Sequence, residues 1–136
     1  MGAALITLDT SGLMSILDRS EPNHHRCREA FEADAGPYLV PAGILAEIGY
    51  MVERWLGSHA LDALLADLES GGLTLECGEN DLPRIRALAQ RYLDLPLGLA
   101  DACVVACAER NAGRVLTLDR DFGVVAREGT ITLLPD

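Results

Sequence analysis

The sequence predicts an α/β domain built on a parallel sheet with helices on both faces, and three observations carry that expectation. Five short apolar runs, ALITL, YLV, LTLEC, VLTL and ITLL, recur along the chain between stretches of helical periodicity. They are mostly apolar at successive rather than alternate positions, as strands buried on both faces require. Strand and helix patterns also alternate from one end to the other, the order that lays strands parallel. At 136 residues, 49% of them hydrophobic, the chain can bury one core but not two, so residues 1–136 are expected to form a single domain.

Each element has a local cause. ALITL stops at Asp9, and Thr10 or Ser11 can cap a helix over about 12–18. Residues 22–34 form a second helical stretch with Cys27, Ala30 and Phe31 at core spacing, broken by Gly36-Pro37. YLV (38–40) is a strand ended by Pro41. From 42 to 56, Ile44, Leu45, Ile48, Met51, Val52 and Trp55 recur at helical intervals, with Gly57 as the stop. An amphipathic helix over about 59–69 ends at Gly71-Gly72; LTLEC is the next strand, and a helix over 81–94 is punctuated by Pro96 and Gly98. Residues 99–112 are apolar nearly all round, which predicts a buried helix ending at Gly113. VLTL (115–118), a short helix over 122–128 and ITLL (131–134) complete a sheet of four to five short strands.

Composition narrows the function. The net charge of -10, with 21 acids against 11 bases, opposes simple electrostatic adhesion to nucleic acid. No apolar stretch approaches the ~20 residues of a membrane span. There is also no basic segment leading into a long apolar one, so a cytoplasmic protein with no membrane partner is expected. Cys27, Cys77, Cys103 and Cys107 lack CxxC spacing, and so well supplied a core does not need disulfides. Cys103 and Cys107, four apart in a helical stretch, are either two thiols for a soft metal or two small core hydrophobes, the plainer expectation. His24, His25 and His59 sit in polar contexts and suggest no role.

The acids are more informative. In open parallel sheets ligands bind beyond the carboxyl ends of strands, where strand order reverses. Asp9 and Asp119 each close a Thr-Leu-Asp tripeptide at such an end, and converge if the first and fourth strands are neighbours. Glu47, placed at about 100° per residue, falls at the border of its helix's apolar stripe. It is either a surface residue or a group facing a cleft. Asp101 opens the most buried helix after Gly98, either as a first-turn acid favoured by the helix dipole or as a fourth member of the cluster. Asp121 stands just ahead of the 122–128 helix, where aspartate is a good N-cap, and it is also a candidate to touch a bound metal or its water.

Two unit charges about 4 Å apart interact by roughly 4 kcal/mol at an effective dielectric near 20, so such a cluster takes up protons or binds cations. Oxygen-only ligands favour Mg²⁺ or Mn²⁺ over zinc. Ions held this way can activate water and neutralise a phosphodiester. All 11 bases are arginine. The lack of lysine argues against phospho-acceptor receiver domains, haloacid-dehalogenase-type phosphatases and Walker loops, and no GxGxxG follows a strand.

LDTSGL, AEIGY, LGLADACVVACAE and LTLDRDFG, in that order from residue 5 to about 123, together resemble the PIN-domain ribonucleases. The chain length is similar to that of the VapC-type toxins of bacterial toxin-antitoxin modules. The resemblance implies a three-layer α/β/α fold and Mg²⁺- or Mn²⁺-dependent cleavage of RNA by Asp9, Glu47, Asp101 and Asp119, with Asp9 and Asp101 as the firmest metal ligands. It implies that Thr10 or Ser11, and Thr117, orient water or carboxylates. It further implies a homodimer silenced by a cognate antitoxin whose C-terminal segment enters the active-site groove. Arg120 beside the strand end is a candidate for RNA contact, with Arg19, Arg54 and Arg127 weaker. The alternatives are a PIN-like module that binds RNA or protein without cutting, and a metal-dependent phosphatase acting on small esters.

Overall fold

A computed structural model describes residues 5–33, 36–95 and 97–135. Its elements in chain order are β1 (Ile6–Leu8), α1 (Thr10–Leu17), α2 (His24–Glu32), β2 (Tyr38–Pro41), a 3₁₀ turn (Ala42–Ile44), α3 (Leu45–Leu56), α4 (Ser58–Ser70), β3 (Thr74–Glu76), α5 (Leu82–Arg91), α6 (Leu99–Arg110), β4 (Arg114–Leu116), α7 (Phe122–Ala126) and β5 (Thr132–Leu134). Ala4 of the first apolar run, Asp34 of the second expected helix and the breaker Pro96 lie outside the described residues.

All five strands are parallel, in the order β3-β2-β1-β4-β5. The chain builds outward from β1 through β2 to β3, then returns to lay β4 on the other side of β1. That reversal makes the crevice between the carboxyl ends of β1 and β4 the topological switch point. β1 lies at the centre, with Ile6, Thr7 and Leu8 fully buried. α6 crosses β1, β2 and β4 and is buried along Ala102 and Val104–Ala108, as its all-round apolar character requires. α5 packs on α6; on the other side of the sheet α1 packs with α2 and α3, and α3 with α4. The result is a three-layer α/β/α arrangement whose core joins Ile6, Leu8, Val40, Ile48, Val104, Val115 and Phe122.

Three local expectations are corrected. α1 begins at Thr10, and its cap is Asp9 rather than Thr10 or Ser11. The Gly12 N–H donates to Asp9 Oδ1 at 2.7 Å, a charged acceptor placed where the helix dipole favours it. The stripe of α3 is buried at Ile48 and Val52, but Trp55 in its last turn is 61% exposed. Trp55 and Met51 line a surface groove with Met14, Asp18 and Leu118, and Met51 also packs against the core. β4 ends at Leu116 rather than Leu118 because the Leu118 N–H donates to the Ser11 hydroxyl at 2.8 Å, drawing the chain out of the ladder.

Gly12 has a specific structural reason. A Cβ there would stand 2.0 Å from the Leu116 carbonyl oxygen, so the first turn of α1 can close onto the end of β4 only without a side chain. Among the described residues, no helix is long and apolar enough to cross a membrane.

Candidate acidic active site

Each of the four expected acids stands at or beside a helix N-terminus. Asp9 caps α1, Glu47 lies in the first turn of α3, Asp101 in the first turn of α6, and Asp119 in the turn leading into α7. A parallel α/β chain leaves each strand at its carboxyl end and enters the next helix there, which brings distant acids to one edge. The same arrangement points partial positive charge at them.

Asp9 is buried and its carboxylate is fully engaged. Oδ1 accepts from the Gly12 N–H and from the Ser11 hydroxyl at 3.0 Å; Oδ2 accepts from the Thr117 hydroxyl at 2.6 Å. Thr117 in turn accepts from the Asp119 N–H at 2.9 Å, as Ser11 does from Leu118. Two hydroxyls therefore fasten the end of β1 to the loop after β4. The resemblance left Thr10 or Ser11 open for this role; the structure places Ser11 in the network and leaves the Thr10 hydroxyl out of it.

Asp121 stands at the N-cap position of α7, but its side chain makes no capping hydrogen bond, which corrects the expected role. Asp119 Oδ1 accepts from the Asp121 N–H at 2.9 Å, closing the turn from the preceding acid. An aspartate two residues upstream can make such a turn as readily as the cap residue can bond into its own helix.

Electrostatics tie the acids together across these elements. Burial, opposed by the hydrogen bonds from Thr117, Gly12 and Ser11 and reinforced by Asp119, pushes the Asp9 carboxyl up to about 6. Burial is also the first cause holding Asp101 above its ordinary value. The charges of Asp119, Glu47 and Asp121 add to it, while a hydrogen bond from the Gly98 backbone opposes it. Glu47 is exposed, yet its charge reaches Asp101.

A divalent cation fits the chemistry of this donor set, which is all carboxylate and hydroxyl oxygen, and would offset both the burial that chiefly raises Asp9 and Asp101 and the carboxylate repulsion that adds to it. Among the described residues no group of three or more His, Cys, Asp or Glu side chains stands close enough to hold a metal ion. Mg²⁺ keeps several waters and takes only one or two carboxylates directly, so the donor set suits it without a closed cage. Cys103 and Cys107 are drawn away from metal chemistry: burial raises both thiols, and Cys107 packs in the core beside Thr7.

Arg120 is exposed and lines a cleft with Thr117, Leu118 and Asp119, whereas Arg19, Arg54 and Arg127 do not line it. Arg26 of α2 also faces this cleft; nothing in its polar helical surroundings marks it in the sequence. His24 has a structural role: its Nδ1–H donates to the Ser15 carbonyl at 2.7 Å and fixes α2 on α1.

Residues 6–128 match the PIN domain family. The chain is 32% identical over 133 residues to Ribonuclease VapC26 of Mycobacterium tuberculosis, covering 94% of this chain and 98% of the relative. Among solved structures, VapC20 of M. tuberculosis, described as a Sarcin-Ricin loop cleaving toxin, superposes with a TM-score of 0.77 at 17% identity, covering 88% and 94% of the two chains. VapBC2 from Rickettsia felis, bound to a DNA fragment from their promoter, gives 0.68 at 13% identity, covering 96% and 97%. FitAcB from Neisseria gonorrhoeae gives 0.62 at 22% identity, covering 94% and 95%. A match over nearly the whole chain, a full-length relative and a shared fold lead to one conclusion: this chain belongs to the PIN-domain family.

Proposed function

We propose that the protein is a metal-dependent endoribonuclease, the toxin of a toxin-antitoxin pair acting in the cytoplasm. The observation that carries this is the cluster of Asp9, Asp101, Asp119 and Glu47 at the switch point, in a PIN chain with a full-length relative that is a VapC ribonuclease. One or two of Asp9, Asp101, Asp119 and Glu47 would hold Mg²⁺ or Mn²⁺ directly, the remaining carboxylates acting through its water. A bound divalent ion supplies Lewis acidity and neutralises charge on the phosphodiester.

The chain's own residues supply orientation. Thr117 and Ser11 direct their protons at Asp9, which fixes the plane of its carboxylate and leaves the acceptor sides of both hydroxyls to the loop backbone. Thr117 thereby sets the position of Asp119, and the Asp119–Asp121 turn holds the loop against the cleft. The buried side of Asp9 excludes bulk water, so its charge acts at low local dielectric.

The partners follow from the VapC resemblance: an RNA substrate, a cognate antitoxin protein whose C-terminal segment enters this groove, and a second copy of the chain in a homodimer. RNA cleavage assayed with Mg²⁺, with Mn²⁺ and with EDTA tests the proposal. Cleavage only with the divalent ion is expected, and equal cleavage in EDTA would refute it.

A further inference from the structure

Gly43 is the middle residue of the 3₁₀ turn between β2 and α3, and that turn packs on α6. Its backbone is ordinary 3₁₀ backbone, so nothing in its own conformation demands a glycine. Its neighbour does. A Cβ at this position would stand 2.6 Å from Cys103 Sγ and 2.7 Å from Cys103 Cβ, far inside the roughly 3.5–4 Å at which carbon atoms pack. Rotating the thiol relieves the first of these contacts but not the second, because the α6 backbone fixes Cβ. The crevice that Pro41, Ala42, Gly43 and Cys103 line holds about 20 Å³, room for roughly one water, so the cysteine has little space to retreat into.

The contact lies between the two segments that carry Glu47 and Asp101. Glu47 follows Gly43 by four residues and stands in the first turn of α3, while Asp101 precedes Cys103 by two and stands in the first turn of α6. Both segments are seated in the core, one through Ile44 and Ile48 and the other through Ala102, Val104 and Val105. Where they meet, their spacing is set by a glycine against a cysteine Cβ. A close-packed interior passes a displacement on rather than absorbing it. Making room for one methyl group at Gly43 takes a shift of roughly 1 Å, and that shift carries the start of α3 away from the start of α6. Glu47 is near enough for its charge to act on Asp101, so their separation is part of the cluster's geometry.

We propose that Gly43 and Cys103 are a positioning pair: their contact sets the separation of Glu47 from Asp101, and with it the geometry in which the acid cluster holds a divalent ion. Neither residue touches the ion. The proposal rests on the metal-dependent ribonuclease reading and adds to it a control point outside the network of acids and hydroxyls. Cys103 serves here by its shape, as a side chain small enough to meet a glycine, and its thiol chemistry plays no part. Groups that hold metal ligands in place without binding the metal typically change affinity by about 10- to 100-fold when altered.

The test uses the full-length protein and compares wild type with Gly43→Ala, Cys103→Ala, Gly49→Ala, and Gly43→Ala combined with Cys103→Ala or with Cys103→Gly. Gly49 lies on α3, where an added Cβ meets only Leu61 at an ordinary 3.8 Å, so it controls for the same substitution without the crowding. Mn²⁺ binding is measured by calorimetry on the protein alone, and kcat and KM on a mixed-sequence single-stranded RNA oligonucleotide at saturating Mn²⁺. Gly43→Ala is expected to weaken Mn²⁺ binding about tenfold and to lower kcat by a similar factor, with KM for RNA within about twofold of wild type. Adding Cys103→Gly removes both crowding atoms and should restore Mn²⁺ binding to within about twofold, whereas adding Cys103→Ala leaves the Cβ in place and should restore little. Gly49→Ala and Cys103→Ala alone should match wild type. Should Gly43→Ala not fold, Cys103→Leu, which presses on the same glycine from α6, takes its place with the same expected loss. A Gly43→Ala protein that binds Mn²⁺ as wild type does, or a loss that Cys103→Gly fails to repair, overturns the positioning pair and leaves the ribonuclease reading standing. A wild type that binds Mn²⁺ but cleaves no RNA overturns that reading alone, and one that binds no divalent ion overturns both.

Discussion

Two acidic groups lie on the same carboxyl edge of the sheet and have been treated by the fold in opposite ways. Beyond β3, Asp81 and Glu76 share Arg110, whose Nε and Nη2 grip both Asp81 oxygens at 2.6 and 2.9 Å while Nη1 reaches Glu76 at 3.0 Å. Alongside, Arg84 makes a two-point contact to Glu109, and that hydrogen bonding holds the Glu109 carboxyl below its ordinary range. Beyond β1 and β4, Asp9 and Asp101 rise instead, because burial and other carboxylates act to raise them. An acid given an arginine by the fold is finished as a structural part. An acid given only hydroxyls and more acids is left needing a cation from outside.

Removing charge from the second group should be the most consequential change. Asp9→Asn or Asp119→Asn is expected to lower RNA cleavage at least about a hundredfold, while the melting temperature in EDTA holds or rises. In Asp9→Asn the new amide oxygen can still accept from Gly12, and Thr117 can turn its proton elsewhere, so the fold tolerates the exchange. A variant that lost activity only in step with unfolding would contradict the distinction.

The mirror experiment is Arg110→Ala. It leaves Asp81, nearly buried, without its partner and should cost about 2–3 kcal/mol of stability by denaturant unfolding, with cleavage retained well below the melting point. Loss of cleavage in the folded variant would show that the two acidic groups are not independent.

Acidity offers a third contrast. Folding raises the Asp9 pKa from 3.8 to about 6, so between those values the folded chain keeps a proton that the unfolded chain has released. Metal-free stability should therefore fall as pH rises through that window and level off above it, by at most about 3 kcal/mol from this group. Asp101 acts in the same sense, and Glu109, shifted the other way, opposes it. Mg²⁺ should raise the melting temperature above pH of about 7 and do little below about 4.5, where Asp9 carries its proton. A metal effect independent of pH would break the link to these acids.

The smallest effect is expected at Asp121. It neither caps α7 nor bonds into the hydroxyl network through its side chain, and it touches the site through its charge on Asp101. Asp121→Asn should reduce cleavage less than about tenfold, against the much larger loss at Asp119 in the same assay.

Much of this was legible in the sequence because it depends on order. The repeated Thr-Leu-Asp marks two strand ends, the alternation of runs predicts the parallel sheet, and the all-apolar 99–112 stretch predicts the helix that crosses its centre. What escaped depends on partners far along the chain. Asp9, Thr10 and Ser11 are all acceptable caps, and only the approach of Gly12 to Leu116 selects the acid. Trp55 keeps helical register with Ile48 and Val52, but its turn overhangs a groove, and periodicity carries no information on where the covering layer ends. Arg26 and the Arg110–Asp81 pair gain meaning only from residues on other elements.

The hydroxyl link from Thr117 to Asp9 joins residues 108 positions apart. A chain made from its N-terminus outward therefore lacks an assembled acid cluster until residues beyond Thr117 have been made, because Asp9 waits for β4 and the loop behind it. For a protein proposed to cut RNA, that order of events has a practical meaning: the growing chain stays harmless to the message and the ribosome producing it until Thr117 and its loop have been made and folded back onto Asp9.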